Sequence, residues 1–244
     1  MAESSKRAKV SGSPGQHARL KGLLLATWPI FFVMLIAGYL LRSALPSPEI
    51  PQPVAGLLFI ILAIFLAAFV NGSERKLGNF FKGAQGEEIV ARELAFLSSD
   101  YRVFNCIESG KEALLPSNGD YDHIVTGPSG IFLIETKNWS GAITLTDGKI
   151  LYNGKTPDRP PIEQAKSAAS NLRARLSEAC GETVDVKPVI CFAANTFISG
   201  TAGSSGVVIC NLRDINSVLS ATADARVSTD IQRKAAAFLD RLIS

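Results

Sequence analysis

The fold is decided by the stretch YDHIVTGPSGIFLIETK, residues 121–137. Two runs rich in β-forming residues, 121–126 and 131–137, flank the turn-like segment Gly-Pro-Ser-Gly at residues 127–130. Because β-branched and aromatic residues favour strands while glycine, proline and serine favour turns, the stretch predicts a β-hairpin. The other elements of the domain are placed relative to this hairpin.

The second strand of the hairpin ends in a charged pair. In a strand, residues two apart project to the same side, so Glu135 and Lys137 point together. Asp122 on the partner strand comes within reach of Glu135, although the sequence alone does not fix the register. Two carboxylates beside an ammonium suit a hard divalent cation and the hydrolysis of a phosphodiester. The alternative is an ordinary surface Glu–Lys pair, because Glu-x-Lys is common by chance.

Outside the hairpin, hydrophobic periodicity predicts alternating strands and helices. Further strands are expected at residues 101–107, 142–145, 149–152, 186–192 and 207–210. Helices are expected at residues 84–97 and 161–180, in a short segment capped by Asn211, and from Ser228 or Thr229 to Leu242, with a Gly/Ser loop at 200–206. This order predicts a mixed α/β fold with helices flanking a sheet of about five strands.

The first 73 residues are predicted to form a membrane anchor. Lys21 and Arg42 enclose 20 uncharged residues, and Glu49 and Glu74 enclose 24 more. Helices over residues 22–41 and 54–71 would be long enough to cross a hydrocarbon core of about 30 Å. The proline-rich connection suits a short external turn, and Lys and Arg concentrate on the outer flanks, which places both flanks in the cytoplasm. We therefore expect an all-α two-helix transmembrane hairpin.

Composition excludes several other classes of protein. With 47% hydrophobic residues, 19% charged residues and four cysteines, the chain is not a disordered protein, a collagen-like repeat or a disulfide scaffold. Residues 1–53 hold six Lys or Arg and two acidic residues, whereas residues 54–244 hold 19 basic and 20 acidic residues. The basic balance belongs to the N-terminal segment, so the charge of the domain gives no argument for nucleic acid.

The hairpin contains two of four short motifs that follow one another along the chain. They are Gly83-x-x-Gly86-Glu87, Asp122-His123-Ile124-Val125, Gly130-Ile131-Phe132 leading into Glu135-Thr136-Lys137-Asn138-Trp139-x-Gly141, and Pro161-Ile162-x-Gln164. In this order and spacing the chain resembles the nuclease-related domain family, NERD, from about Lys82 to Glu178 and on to the strand ending at Phe192. The resemblance implies a restriction-endonuclease-like fold of the PD-(D/E)xK superfamily.

The resemblance also implies roles for five residues. By motif position, Glu87, Asp122 and Glu135 would bind Mg²⁺ or Mn²⁺. The catalytic set would comprise Asp122 and Glu135 together with Lys137, the catalytic lysine, and Gln164, which would position water or phosphate.

Two further acidic residues compete for the metal-binding roles. Asp120 lies on the same strand face as Asp122, two residues away, and the family register favours Asp122. Glu88 lies about 100° from Glu87 around the helix, and the sequence does not show which of them faces the site. His123 points to the opposite strand face and is expected to be packed, and Trp139 is expected to close the edge of the sheet.

Together these observations predict a membrane-anchored, divalent-metal-dependent nuclease that hydrolyses DNA phosphodiester bonds. The expected organisation is a flexible basic cytoplasmic tail at 1–19, the transmembrane hairpin at 20–73, a NERD domain at 82–192, and a C-terminal strand and helices at 193–244. The expected partners are a lipid bilayer and DNA, and the expected location is a bacterial inner membrane with both termini and the NERD domain in the cytoplasm. The alternative is a non-catalytic membrane-bound module that binds nucleic acid or protein and retains the nuclease-like fold.

Overall fold

The computed structural model describes residues 7–43, 51–107, 120–194, 196–200, 206–221 and 227–243. The chain divides into two compact units. One comprises Met1–Gln16 together with Gly83–Ser244, and the other is His17–Lys82. The first is called the sheet unit and the second the helical unit.

Two long helices account for the helical unit. They are α1, Gln16–Ser43, and α2, Gln52–Leu94, and the last part of α2 belongs to the sheet unit. No helix among the described residues combines the length and the apolar character that a membrane span requires. The predicted transmembrane hairpin is therefore not supported. The second expected span is not a separate element, because α2 continues through the charged residues Glu74 to Lys76.

A mixed six-stranded sheet forms the centre of the sheet unit. Its order is β1-β2-β3-β4-β7-β9. The strands are β1, Lys9–Ser11; β2, Arg102–Ile107; β3, Tyr121–Gly127; β4, Gly130–Lys137; β7, Lys187–Phe192; and β9, Val208–Asn211. Strand β3 runs antiparallel to both of its neighbours, β2 and β4, while β7 and β9 continue parallel to β4. The prediction of a mixed α/β fold is confirmed.

The predicted hairpin is β3–β4. Its ladder runs from the pair Gly127–Gly130 to the pair His123–Ile134. A Cβ at Gly127 would lie 2.1 Å from the Tyr101 ring, so this turn position has no room for a side chain. Because the register is now fixed, Asp122 and Glu135 are the next residues beyond the last ladder pair.

Helices cover both faces of the main sheet. The helices that follow the hairpin are α3, Pro161–Cys180; α4, Ile215–Ala221; and α5, Thr229–Ile243. Phe132 and Ile134 of β4 belong to a buried cluster with α2 and α4. Ile131 and Leu133 belong to a second cluster with α3 and α5. Since side chains alternate along a strand, Glu135 and Lys137 continue the row that faces α3.

A small second sheet packs near the end of β4. It has the order β6-β5-β8, built from β5, Ile143–Thr146; β6, Lys149–Tyr152; and β8, Ile198–Gly200. Trp139 lies against Tyr152 at 4.9 Å and against Phe192 at 5.8 Å between ring centroids. This packing agrees with the expectation that Trp139 closes the sheet edge.

Three expectations about elements differ from the structure. The single sheet of about five strands is a six-stranded and a three-stranded sheet. The tail expected to be flexible contains β1, whose residues pair in parallel with β2. The helix expected at 84–97 is the end of α2 rather than a separate helix. Of the Gly/Ser loop expected at 200–206, residues 201–205 lie outside the described residues.

Candidate active site

The candidate site lies where β4 ends and β3 begins. Beyond the pair His123–Ile134 the two strands no longer form ladder pairs. The Asp122 carboxylate continues the connection instead, because its Oδ2 accepts a hydrogen bond of 2.7 Å from the Thr136 backbone N–H. A side chain at this point therefore holds the strand ends together and places Asp122 beside Glu135.

Lys137 connects strand β4 with helix α3. Its Nζ donates to Glu135 Oε1 at 2.7 Å and to Gln164 Oε1 at 3.1 Å. The side chains of Lys137 and Glu135 are only 16% and 11% exposed. An ammonium has three donors, so one donor of Lys137 remains for a further acceptor such as water or a phosphate oxygen.

Gln164 reaches Lys137 from the first turn of α3. That helix begins at Pro161, and the Gln164 backbone N–H donates to Pro160 O at 3.1 Å. Proline suits the first helical position because its φ is already helical and its missing N–H would have no partner there. The proline pair thus starts the helix where Gln164 projects toward β4.

Glu87 enters the site from α2. Its Oε2 accepts a hydrogen bond of 2.9 Å from the Gly15 backbone N–H. The preceding residue, Gly86, approaches the end of β4 so closely that a Cβ there would lie 2.7 Å from Asn138 Cβ. Glycine at this position lets the helix backbone come near the strand end, which brings Glu87 to the same edge as Glu135 and Lys137.

The electrostatics show that the carboxylates are near one another. Burial raises the pKa of Asp122 well above its usual range, and the charges of Glu135 and Glu87 raise it further, against the Thr136 N–H and Lys137. Burial also raises the pKa of Glu87, with the Gly15 N–H acting in the opposite direction and the charges of Glu135 and Asp120 adding to the rise. The carboxyl groups therefore disfavour one another's charged forms, and the Lys137 ammonium offsets only part of this effect on Asp122.

This donor set fits a hard divalent cation in its chemistry. All three predicted ligands are carboxylates, and a cation between them would remove the repulsion that raises the pKa of Asp122 and Glu87. Among the described residues, however, no three His, Cys, Asp or Glu side chains are arranged to hold a metal ion. Each predicted ligand instead accepts a hydrogen bond from another group of the protein, which is the Gly15 N–H, the Thr136 N–H or the Lys137 ammonium.

A buried polar pair on β2 and β3 lies on the face of the sheet opposite Asp122. His123 Nδ1 and Asn105 Oδ1 are 2.7 Å apart, and both residues are fully buried. Burial lowers the pKa of His123 to about 3, so the ring is neutral at physiological pH. The expectation that His123 is packed is confirmed.

The comparison with protein families bears on this same region. Residues 82–193 match the family model of the nuclease-related domain, NERD. No curated protein and no solved structure shows significant similarity to the chain. The NERD region contains Glu87, Asp122, Glu135, Lys137 and Gln164, so the match covers every predicted site residue.

The structure brings the five predicted residues to one edge of the sheet, and their chemical roles remain predictions. Two contacts at this edge were missed by sequence reasoning, the Thr136 N–H on Asp122 and the Gly15 N–H on Glu87. Both donors are backbone groups, which a residue-type pattern does not reveal. The glycines at 12 and 15 were the available signal for the second contact, because clustered glycines often mark a tight backbone approach.

Proposed function

We propose that the chain is a divalent-metal-dependent nuclease that hydrolyses DNA phosphodiester bonds. The proposal is carried by one observation: in a region that matches NERD, Lys137 Nζ lies between Glu135 and Gln164. The NERD match itself suggests only a nuclease-like function. The metal, the DNA substrate and catalysis are the parts we propose.

The proposed mechanism assigns a task to each side chain. Glu87, Asp122 and Glu135 would hold Mg²⁺ or Mn²⁺, which when bound supplies Lewis-acid activation of the phosphate and of water. The remaining Lys137 donor would bind a phosphate oxygen or orient the attacking water. Gln164 would keep the ammonium in place by accepting its second hydrogen bond. Charge that develops on the phosphate is stabilised best by donors that are already oriented.

A cleavage assay with a matched pair of variants tests the proposal. The full chain is incubated with single- and double-stranded DNA in Mg²⁺ or Mn²⁺, with and without chelator. Lys137→Met should lose cleavage by a factor of 100 or more, roughly the contribution of one oriented electrostatic group. Lys166→Met removes an exposed lysine from α3 and should cleave like the wild type. Equal cleavage by all three proteins would identify a contaminating nuclease.

The alternative is a non-catalytic module that binds nucleic acid or protein. It is favoured by the absence of a metal-holding group among the described residues and by the internal Lys137–Glu135 pair. Binding of DNA by wild type and Lys137→Met alike, with no cleavage in any divalent metal, would support this alternative.

We propose separately that the helical unit associates with a lipid bilayer, with both termini and the NERD region in the cytoplasm of a bacterial cell. Many large apolar side chains of α1 and α2 are exposed, which is unusual for a surface in water. They include Trp28, Phe31, Phe32, Met34, Leu35, Phe59, Ile64 and Phe65. The full chain should remain with membranes after carbonate washing and be released by detergent. Recovery in the soluble fraction would contradict this association.

A further inference from the structure

The N-terminal segment of residues 7–15 lies outside the NERD region but belongs to the same compact unit. Within it, β1 extends the main sheet by pairing in parallel with β2. The Ala8 backbone N–H donates to Leu97 O at 2.9 Å, and the Arg7 guanidinium lies 4.7 Å from the centre of the Phe96 ring. The segment is therefore attached both to the sheet edge and to the residues that follow α2.

The loop after β1 is fitted closely to its surroundings. Gly12 has φ +84° and a Cβ there would lie 2.1 Å from Asn105 O. Gly15 has φ +69° and a Cβ there would lie 2.9 Å from Ala84 Cβ. Both positions need glycine, for backbone conformation and for space. In this closely packed loop, the buried Gly15 N–H donates a hydrogen bond of 2.9 Å to Glu87 Oε2.

We propose that residues 7–15 are a positioning element of the active site, in which the Gly15 N–H orients the Glu87 carboxylate toward the ion. The inference rests on the proposed function, because it assumes that Glu87 is a metal ligand. Because the Gly15 N–H belongs to the backbone of a closely packed loop, it holds Glu87 Oε2 in one position, and the other oxygen, Oε1, would bind the ion. Loss of such an outer partner of a metal ligand typically weakens metal binding 10- to 100-fold.

Calorimetric titration of the full chain with Mn²⁺ tests the inference without depending on activity. Alanine at position 15 disfavours the observed φ of +69° and its Cβ would lie 2.9 Å from Ala84 Cβ. Gly15→Ala should therefore raise the dissociation constant for Mn²⁺ about 10- to 100-fold. Gly148→Ala, which replaces a glycine with the same φ of +69° in the turn between β5 and β6, outside the segment, should bind like the wild type. Glu87→Gln should also weaken binding, and adding Gly15→Ala to it should produce little further loss, because orienting residue 87 no longer matters once its carboxylate is gone.

The outcomes separate the inference from the proposed function. Wild type that binds no Mn²⁺ would overturn both. Wild-type affinity in Gly15→Ala, or losses that simply add in the double variant, would overturn the inference and leave the nuclease proposal standing. If Gly15→Ala does not fold, deletion of residues 1–15 replaces it, with deletion of residues 1–6 as the control. If neither Gly15→Ala nor the protein that lacks residues 1–15 folds, the segment is required for folding, and this result would contradict the positioning role.

Discussion

Replacing Lys137 with methionine should destabilise the sheet unit even in the absence of metal. The ammonium contacts Glu135 Oε1 at 2.7 Å, and it also lowers the raised pKa of the neighbouring Asp122. Methionine has nearly the same length but no charge, so the Glu135 carboxylate would be left with its charge uncompensated in a largely buried position.

The expected cost follows from the burial of the pair. Removing one partner of a buried ion pair costs about 3–5 kcal/mol. Since the two side chains are 16% and 11% exposed, we take the lower end, about 3 kcal/mol. For a domain of this size that corresponds to a fall in melting temperature of about 6–12 °C. The exposed control Lys166→Met should change stability by no more than about 0.5 kcal/mol.

A double-mutant cycle in chelator measures the interaction directly. The variants are Lys137→Met, Glu135→Gln and their combination, followed by thermal and urea unfolding. The double variant should be more stable than Lys137→Met alone, because no unpaired carboxylate remains at position 135. Two effects that add within error, or a Lys137→Met protein that melts like the wild type, would refute the described pairing.

Three other predictions use the same unfolding and titration assays. Because the folded-state pKa of Asp122 is raised, its contribution to stability is present at low pH and lost as pH rises, so Asp122→Asn should raise the melting temperature at pH 7–8 more than at pH 4. The pKa of His123 is instead lowered from 6.5 to about 3, so up to about 5 kcal/mol of stability present above pH 6.5 should be lost progressively toward pH 3, and His123→Gln should flatten that dependence. Gly86→Ala would place a Cβ 2.7 Å from Asn138 Cβ and should weaken Mn²⁺ binding with a loss of about 1–3 kcal/mol in stability, whereas Gly83→Ala meets no atom within 4 Å and should do neither.

The parts of the fold that local sequence determines were predictable. The hairpin follows from strand-forming runs around a turn, and α3 was predicted with its observed bounds, Pro161–Cys180. That helix has a proline at its start and Gly181 with φ 74° at its end, which are both strong local signals. These elements carry Asp122, Glu135, Lys137 and Gln164, so most of the predicted site could be located from the sequence.

The parts that depend on distant contacts were not predictable. Strand β1 pairs with β2, which is far away in the sequence. It has only three residues, Lys9–Ser11, which are too few to show the alternation of apolar and polar residues that marks a strand. β8 is equally short and pairs with β5. The predicted end of the second helix was also wrong. Charged residues end an apolar run, but they do not end a helix. Helix α2 has no proline after its start and continues to Leu94.

The central claim is that Glu135 and its neighbours cleave DNA with a divalent cation. It is tested most directly by the initial rate of DNA cleavage in Mg²⁺ for wild type, Glu135→Gln and the control Glu163→Gln, an exposed position beside Gln164. We predict that wild type and Glu163→Gln cleave at equal rates, that chelator abolishes both, and that Glu135→Gln is at least about 100-fold slower. Equal rates for Glu135→Gln and wild type, or no cleavage by wild type, would contradict the proposed nuclease activity.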